Sequence, residues 1–193
     1  VAGIGDSITK KFEVADSIAA GLSNYFQGAP TQLSQLLADR SYEVIRSDAV
    51  AALQVFEQPS PSDAAMAAFE RVVEATVLYS GLAFEGGGLS VAHGLLRGLT
   101  AYPQTQKALH GELVAYGLLV QLAANDVADE LLLDIRDFLA RVGLPVCLGD
   151  IGFPNASEAD IRNIAELTFG APYVLARERL VSRQKLAQSI TRI

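Results

Sequence analysis

The stretch FEGGGLSVAHGLLRGLTAYPQTQKALHGELVAYG, Phe84 to Gly117, holds both histidines of the 193-residue chain, His93 and His110. Each sits in a short apolar segment beside glycine, as Ala92-His93-Gly94 and Leu109-His110-Gly111. Tyr102-Pro103-Gln104-Thr105 reads as a loop, with a helix over 89–101 before it and another over 107–124 after it. Leu113 to Ala124 is apolar apart from Gln121, too short for a membrane span, and reads as a buried helix. Two helices, each with a histidine near one end, therefore meet across a short connection. The spacing admits two readings, helix-end residues with one hydrogen bond each or imidazoles brought to one point, because His-x16-His is no metal signature. The triple glycine 86–88 is not a nucleotide loop. It follows a helical pattern, lacks G-x-G-x-x-G spacing and is followed by Leu89-Ser90 instead of Gly-Lys-Ser/Thr. Its role is close backbone approach.

The rest of the chain carries the same period. Gly3-Ile4-Gly5 reads as a tight opening, and Asp6 or Ser7 as the cap of a helix with Ile8, Phe12, Ala15 and Ile18 on one face. Pro30 or Thr31 opens a helix with Leu33, Leu36 and Leu37 on one face, and another is expected over 42–56. Residues 58–63 are a stop followed by a start. The segment 63–82 is nearly all apolar, which predicts a helix in the middle of a bundle. Further helices are expected over 127–142 and from the capping-box-like Ser157-Glu158-Ala159-Asp160 to about Phe169. A last helix of about fifteen residues is expected after Gly170-Ala171-Pro172. No segment alternates as a half-buried strand does. The fold class is all-α, an orthogonal, bundle-like packing of about eight to ten helices in one domain spanning 1–193.

Half of the residues are apolar, enough for a sizeable core, and the net charge is −7. With no basic patch, nucleic acid and anionic membrane surfaces are excluded as partners. The arginines 162, 177, 179, 183 and 192 are interleaved with Glu166 and Glu178 and read as a solvated face. The single cysteine, Cys147, excludes an internal disulfide and fits a reducing cytoplasm. The chain opens at Val1 without a starting methionine, which reads as a piece of a longer polypeptide.

Taken together, Phe84-Glu85-Gly86-Gly87-Gly88-Leu89, Ala92-His93, His110-Gly111-Glu112 and Val114-Ala115 with Gly117 resemble the C-terminal helical half of glycerol dehydrogenases, in the iron-containing (group III) alcohol dehydrogenase superfamily. Val1-Ala2-Gly3-Ile4-Gly5-Asp6 resembles the point where that half begins, and Val142-Gly143-Leu144-Pro145 another family stretch. The likeness runs in order along essentially the whole chain, strongest over 81–117 and weakest after about 150. It implies a dehydroquinate synthase-like α domain. It implies a metal, zinc in glycerol dehydrogenases and iron in many relatives, held by Asp6, His93 and His110, and a polyol pocket lined by Phe84. No further catalytic group is implied in this domain. It also implies NAD(P), bound by a preceding Rossmann-like domain that these residues do not form. The expectation is thus an NAD(P)-linked dehydrogenase of a small alcohol or polyol, cytoplasmic and homo-oligomeric, whose helical domain alone is inactive.

The sequence departs from the family at two places. Leu96 stands where glycerol dehydrogenases carry a second histidine, which opens the substrate to other diols, hydroxy acids or small alcohols. Lys10 stands where some relatives place a fourth ligand, so the implied site has three. Two alternatives follow. One is a glycerol-1-phosphate dehydrogenase or dehydroquinate synthase-like enzyme, with Arg97 and Lys107 as the nearby cations. The other is a helical interaction domain that kept the fold and lost the chemistry.

Overall fold

The computed structural model describes residues 1–57 and 59–193, and every regular element among them is helical. The elements are α1 (Ala2–Ala19), α2 (Gln32–Leu53), α3 (Asp63–Glu74), α4 (Ser80–Gly87), α5 (Val91–Gly94), α6 (Leu96–Leu99), α7 (His110–Ala124), α8 (Asp129–Arg141), α9 (Glu158–Thr168), α10 (Pro172–Leu175) and α11 (Arg183–Arg192). Among the described residues, no helix is long and apolar enough to cross a membrane. Hydroxyl caps start several of them. Thr31 Oγ1 accepts the Ser34 amide at 3.1 Å, Ser62 Oγ that of Ala65 and Ser182 Oγ that of Lys185, both at 3.2 Å. The expected capping box is present at α9, where Ser157 and Asp160 satisfy each other's amides.

α7 is the axis of the molecule. All of it except His110 and Glu112 is buried, as its unbroken apolar run requires. One side packs into a core with Ile8 of α1, Ile45 of α2 and Ile135 and Leu139 of α8. The other packs into a second core with Leu95, Leu99, Ile164 and Leu186. The buried Gln121 spends both ends of its amide, with Oε1 accepting the Ala92 amide at 2.9 Å and Nε2 donating to Asp16 at 2.8 Å.

Several expectations are corrected. α1 begins at Ala2, so Gly3 to Gly5 are helical and Asp6 is not a cap but a second-turn residue. α2 is one helix from Gln32, and it buries Ser34, Ala38 and Ser41 while Leu33 and Leu36 face outward. Small residues let it approach α1 closely enough for Ser41 Oγ to donate to the Ser7 carbonyl at 3.3 Å. The apolar segment after Asp63 continues through a π-helical turn, Ala75–Tyr79, into α4, and it lies at the edge of the bundle. It buries Ala65, Ala68, Val72, Ala75 and Ala83 but exposes Val73, Val77, Leu78 and Leu82. The helix expected over 89–101 breaks at Leu95 into α5 and α6. The last helix is shorter than expected, because Ser182 caps a fresh start after α10. Gln58, in the break expected over 58–63, lies outside the described residues.

Candidate metal centre

Two backbone crossings build the site. A Cβ at Gly5 would collide with the Gly111 carbonyl, and one at Gly111 with the Ala2 carbonyl, so α1 and α7 touch through glycine. Asp6 and His110 are the chain neighbours of those two glycines and are thereby set side by side. A Cβ at Gly117 would likewise meet the Ala92 carbonyl, so α5 lies directly on α7 and carries His93 in from the other side. One ligand atom from each of Asp6, His93 and His110 lies within 4.8 Å of the others. The imidazole centroids are 5.4 Å apart, and His93 Nε2 is 3.1 Å from Asp6 Oδ1. His110 opens α7 and is exposed, Asp6 is half-buried and His93 is nearly enclosed.

Beneath this cluster is Glu13, wholly buried on α1. Its Oε1 accepts the amides of Ser90 at 3.0 Å and His93 at 3.1 Å. Its Oε2 takes His93 Nδ1 at 2.6 Å and the Thr9 hydroxyl at 3.3 Å. A carboxylate at Nδ1 fixes that nitrogen as the N–H and turns the Nε2 lone pair toward Asp6 and His110. Burial alone would raise the Glu13 carboxyl, but the His93 and Lys10 charges and the His93 hydrogen bonds hold it below the usual carboxylate range. Burial would likewise raise Asp6, and the His93 hydrogen bond with the Lys10 charge holds it far below its ordinary value. Burial opposes the charge of His93, but Glu13 and the Asp6 hydrogen bond together outweigh it, and His93 is raised. His110 is lowered, by burial first and then by the His93 charge. Two nitrogens and a carboxylate oxygen on converging helices are a donor set that suits a divalent ion, and an imidazole backed by a carboxylate is the usual orientation of a metal-bound histidine.

Phe84 is half-buried and lines a cavity of about 520 Å³ with Tyr25, Asn24, Leu89 and Tyr173. Tyr25 meets it edge-on at 5.5 Å. Tyr173 also packs at Gly94, beside His93, and burial pushes its phenol up to about 12. Leu96 packs against the second core. Arg97 lines a different cavity with Glu166 and Arg183, and Lys107 another with Glu112 and Asp150. The cation that reaches the donor cluster is Lys10. Glu13 was not singled out from the sequence, and Lys10 was named only as the residue that cannot serve as a fourth ligand. The available signal was the spacing Asp6, Lys10, Glu13, which is i, i+4, i+7 on one helical face.

The fold and this cluster define a class: an all-α domain in which a carboxylate and two imidazoles converge where three helices cross. No protein-family profile matches the chain. It is 38% identical over 85% of its length to glycolaldehyde reductase of Halobacterium salinarum, and 36% identical over 86% to glycerol dehydrogenase of Thermotoga maritima. It superposes on a probable glycerol dehydrogenase of Sinorhizobium meliloti with a TM-score of 0.89 at 30% identity, covering 99% of this chain and 53% of that one. The chain is thus similar, over most of its own length, to the helical half of glycerol dehydrogenases. It spans 44% of the length of the two curated relatives named here.

Proposed function

We propose that this chain is the metal- and substrate-carrying helical domain of an NAD(P)-linked dehydrogenase acting on a small polyol or alcohol. The observation that carries the reading is the convergence of Asp6, His93 and His110 donors within 4.8 Å, with Glu13 holding His93 in the ligating tautomer. Zinc or iron would be held by those three residues and would supply Lewis acidity, lowering the pKa of a substrate hydroxyl and stabilising negative charge on its oxygen. With Asp6 and Glu13 offset by Lys10, a divalent ion leaves the site net positive for that purpose. Glu13 takes the Nδ1 proton as a hydrogen bond, so neutral His93 presents its lone pair at Nε2. Phe84 offers a ring wall to the carbon skeleton. Leu96 gives the substrate no hydrogen bond, which favours a diol, a hydroxy acid or a small alcohol less polar than glycerol. The relatives' names, a reductase and dehydrogenases of small hydroxylated molecules, support the substrate class. Hydride exchange needs a nicotinamide, held by a nucleotide-binding half not formed by these residues, so residues 1–193 alone turn over no alcohol. Exposed Val77, Leu78 and Leu82 support self-association, and the single cysteine supports a reducing, cytoplasmic setting.

Elemental analysis tests the reading. Protein stripped with chelator and reloaded should carry about one equivalent of zinc or iron, and His110→Ala little, at unchanged helix content because His110 is exposed at the start of α7. Absence of bound metal in the wild type, after zinc addition and after joining a nucleotide-binding half, would sink the proposal.

A further inference from the structure

The metal reading leaves a buried cation beside the donor cluster without a role. Lys10 is 2% exposed, on the turn of α1 between Asp6 and Glu13. Its Nζ donates to Asp6 Oδ1 at 2.7 Å and lies 3.3 Å from His93 Nε2. Those two atoms are themselves 3.1 Å apart. The ammonium therefore touches both of the atoms that an ion between Asp6 and His93 would bond.

We propose that Lys10 and the metal ion exclude one another, so that Lys10 sets how tightly the ion is held and how readily it exchanges. The proposal rests on the metal reading above. An ammonium has three N–H donors and no lone pair, so it cannot join the ligand set. With Nδ1 donating to Glu13, His93 has a single lone pair left, at Nε2, and a lone pair pointed at an N–H is not free for an ion. An ion that binds must displace the ammonium and break its charge-assisted bond to Asp6. In return, Lys10 neutralises two acids, Asp6 and Glu13, that would otherwise face each other across a mostly enclosed space. A protein with this lysine stays folded as the ion comes and goes, unlike metal sites that fold only when loaded.

The test is a zinc titration against a chromophoric chelator, using wild type, Lys10→Met, Lys10→Gln and, as a control for lost charge, Lys11→Met at the half-buried neighbour, which pairs with Asp39 away from the donor cluster. Removing a unit charge a few ångströms from the ion should tighten zinc binding at least about tenfold in both Lys10 variants. Lys11→Met should change it by no more than about twofold. Equal or weaker binding in the Lys10 variants overturns the proposal while leaving the metal site standing. Absence of zinc binding in every protein overturns both. A second arm needs only wild type. Acylation of Lys10 by an amine-reactive ester, read by mass spectrometry, should rise when zinc is added and releases the ammonium to solvent. Unchanged labelling at saturating zinc overturns the exclusion whether or not the variants fold.

Discussion

Asp6 and Asp16 stand at opposite ends of the same helix, and their surroundings differ in kind. Asp16 receives Arg177 Nη1 at 2.5 Å, Gln121 Nε2 at 2.8 Å, Asn125 Nδ2 at 2.9 Å and Ser90 Oγ at 3.0 Å. Every donor is fixed in the fold, and together they tie α1 to α7, to the turn before α5 and to the segment after α10. Asp6 receives one ammonium and faces two imidazoles, and it keeps part of its surface open to solvent. The first carboxylate is saturated and acts as a clamp. The second is one of several acceptors gathered with too few donors, which is the arrangement of a binding site. Buried charge alone does not separate the two; the count of committed donors does.

The largest effect should come from breaking the clamp. Asp16→Ala leaves the Arg177 guanidinium, 4% exposed, without its counter-charge, and frees three further donors. Removing one partner of a buried pair costs about 3–5 kcal/mol. Urea unfolding should show that loss, whereas the zinc stoichiometry of the protein that remains folded should stay near one. Loss of zinc at full stability would mean that Asp16 belongs to the site and that the contrast is wrong.

Glu13→Gln sharpens the comparison at intermediate size. A glutamine can still accept the Ser90 and His93 amides through its oxygen. Its NH₂ then faces His93 Nδ1 and donates, which moves the imidazole proton to Nε2, where the ion should bond. Zinc affinity should fall about 10–100-fold, the usual cost of losing a carboxylate behind a ligating histidine. Wild-type affinity in this variant would show that the tautomer is not set by Glu13.

How far all this was legible in the sequence follows from the same physics. The helical class was readable because caps such as Ser157 and the unbroken run of α7 are local signals. Asp6, His93 and His110 were readable only through the family likeness, since the crossings that unite them are contacts of Gly5 with Gly111 and Gly117 with Ala92, remote in sequence. Glu13 was missed because attention went to the apolar positions Ile8, Phe12 and Ala15, whereas α1 buries Thr9, Lys10 and Glu13 as well. The segment from Asp63 was placed too deep because apolar content does not say which side is covered. Here Ala65, Ala68, Val72, Ala75 and Ala83 face the core, and Val73, Val77, Leu78 and Leu82 face out.

The smallest effect is a pH dependence, and its sign separates the proton from the ion at His93. Folding raises His93 above its ordinary 6.5, because Glu13 favours the imidazolium. That stabilisation is complete below the unfolded value and is lost as pH rises through the raised folded one. Folding lowers Glu13 from 4.5, so its share is present above that value and lost as pH falls through the lowered one. The His93–Glu13 pair of chelated protein should therefore contribute most in mildly acidic solution and lose that contribution on the alkaline side, whereas His110, lowered by folding, slopes the other way. Zinc requires the deprotonated Nε2, so the stability it adds should grow over the same rise in pH. Melting curves with chelator and with saturating zinc should diverge as pH increases. In Glu13→Gln the alkaline loss of the chelated protein should shrink, since Glu13 is gone and only Asp6 still raises His93. In chelated His110→Ala, where that opposite slope is absent, a melting temperature that climbs through this range would show that the imidazolium–Glu13 pair does not stabilise the fold.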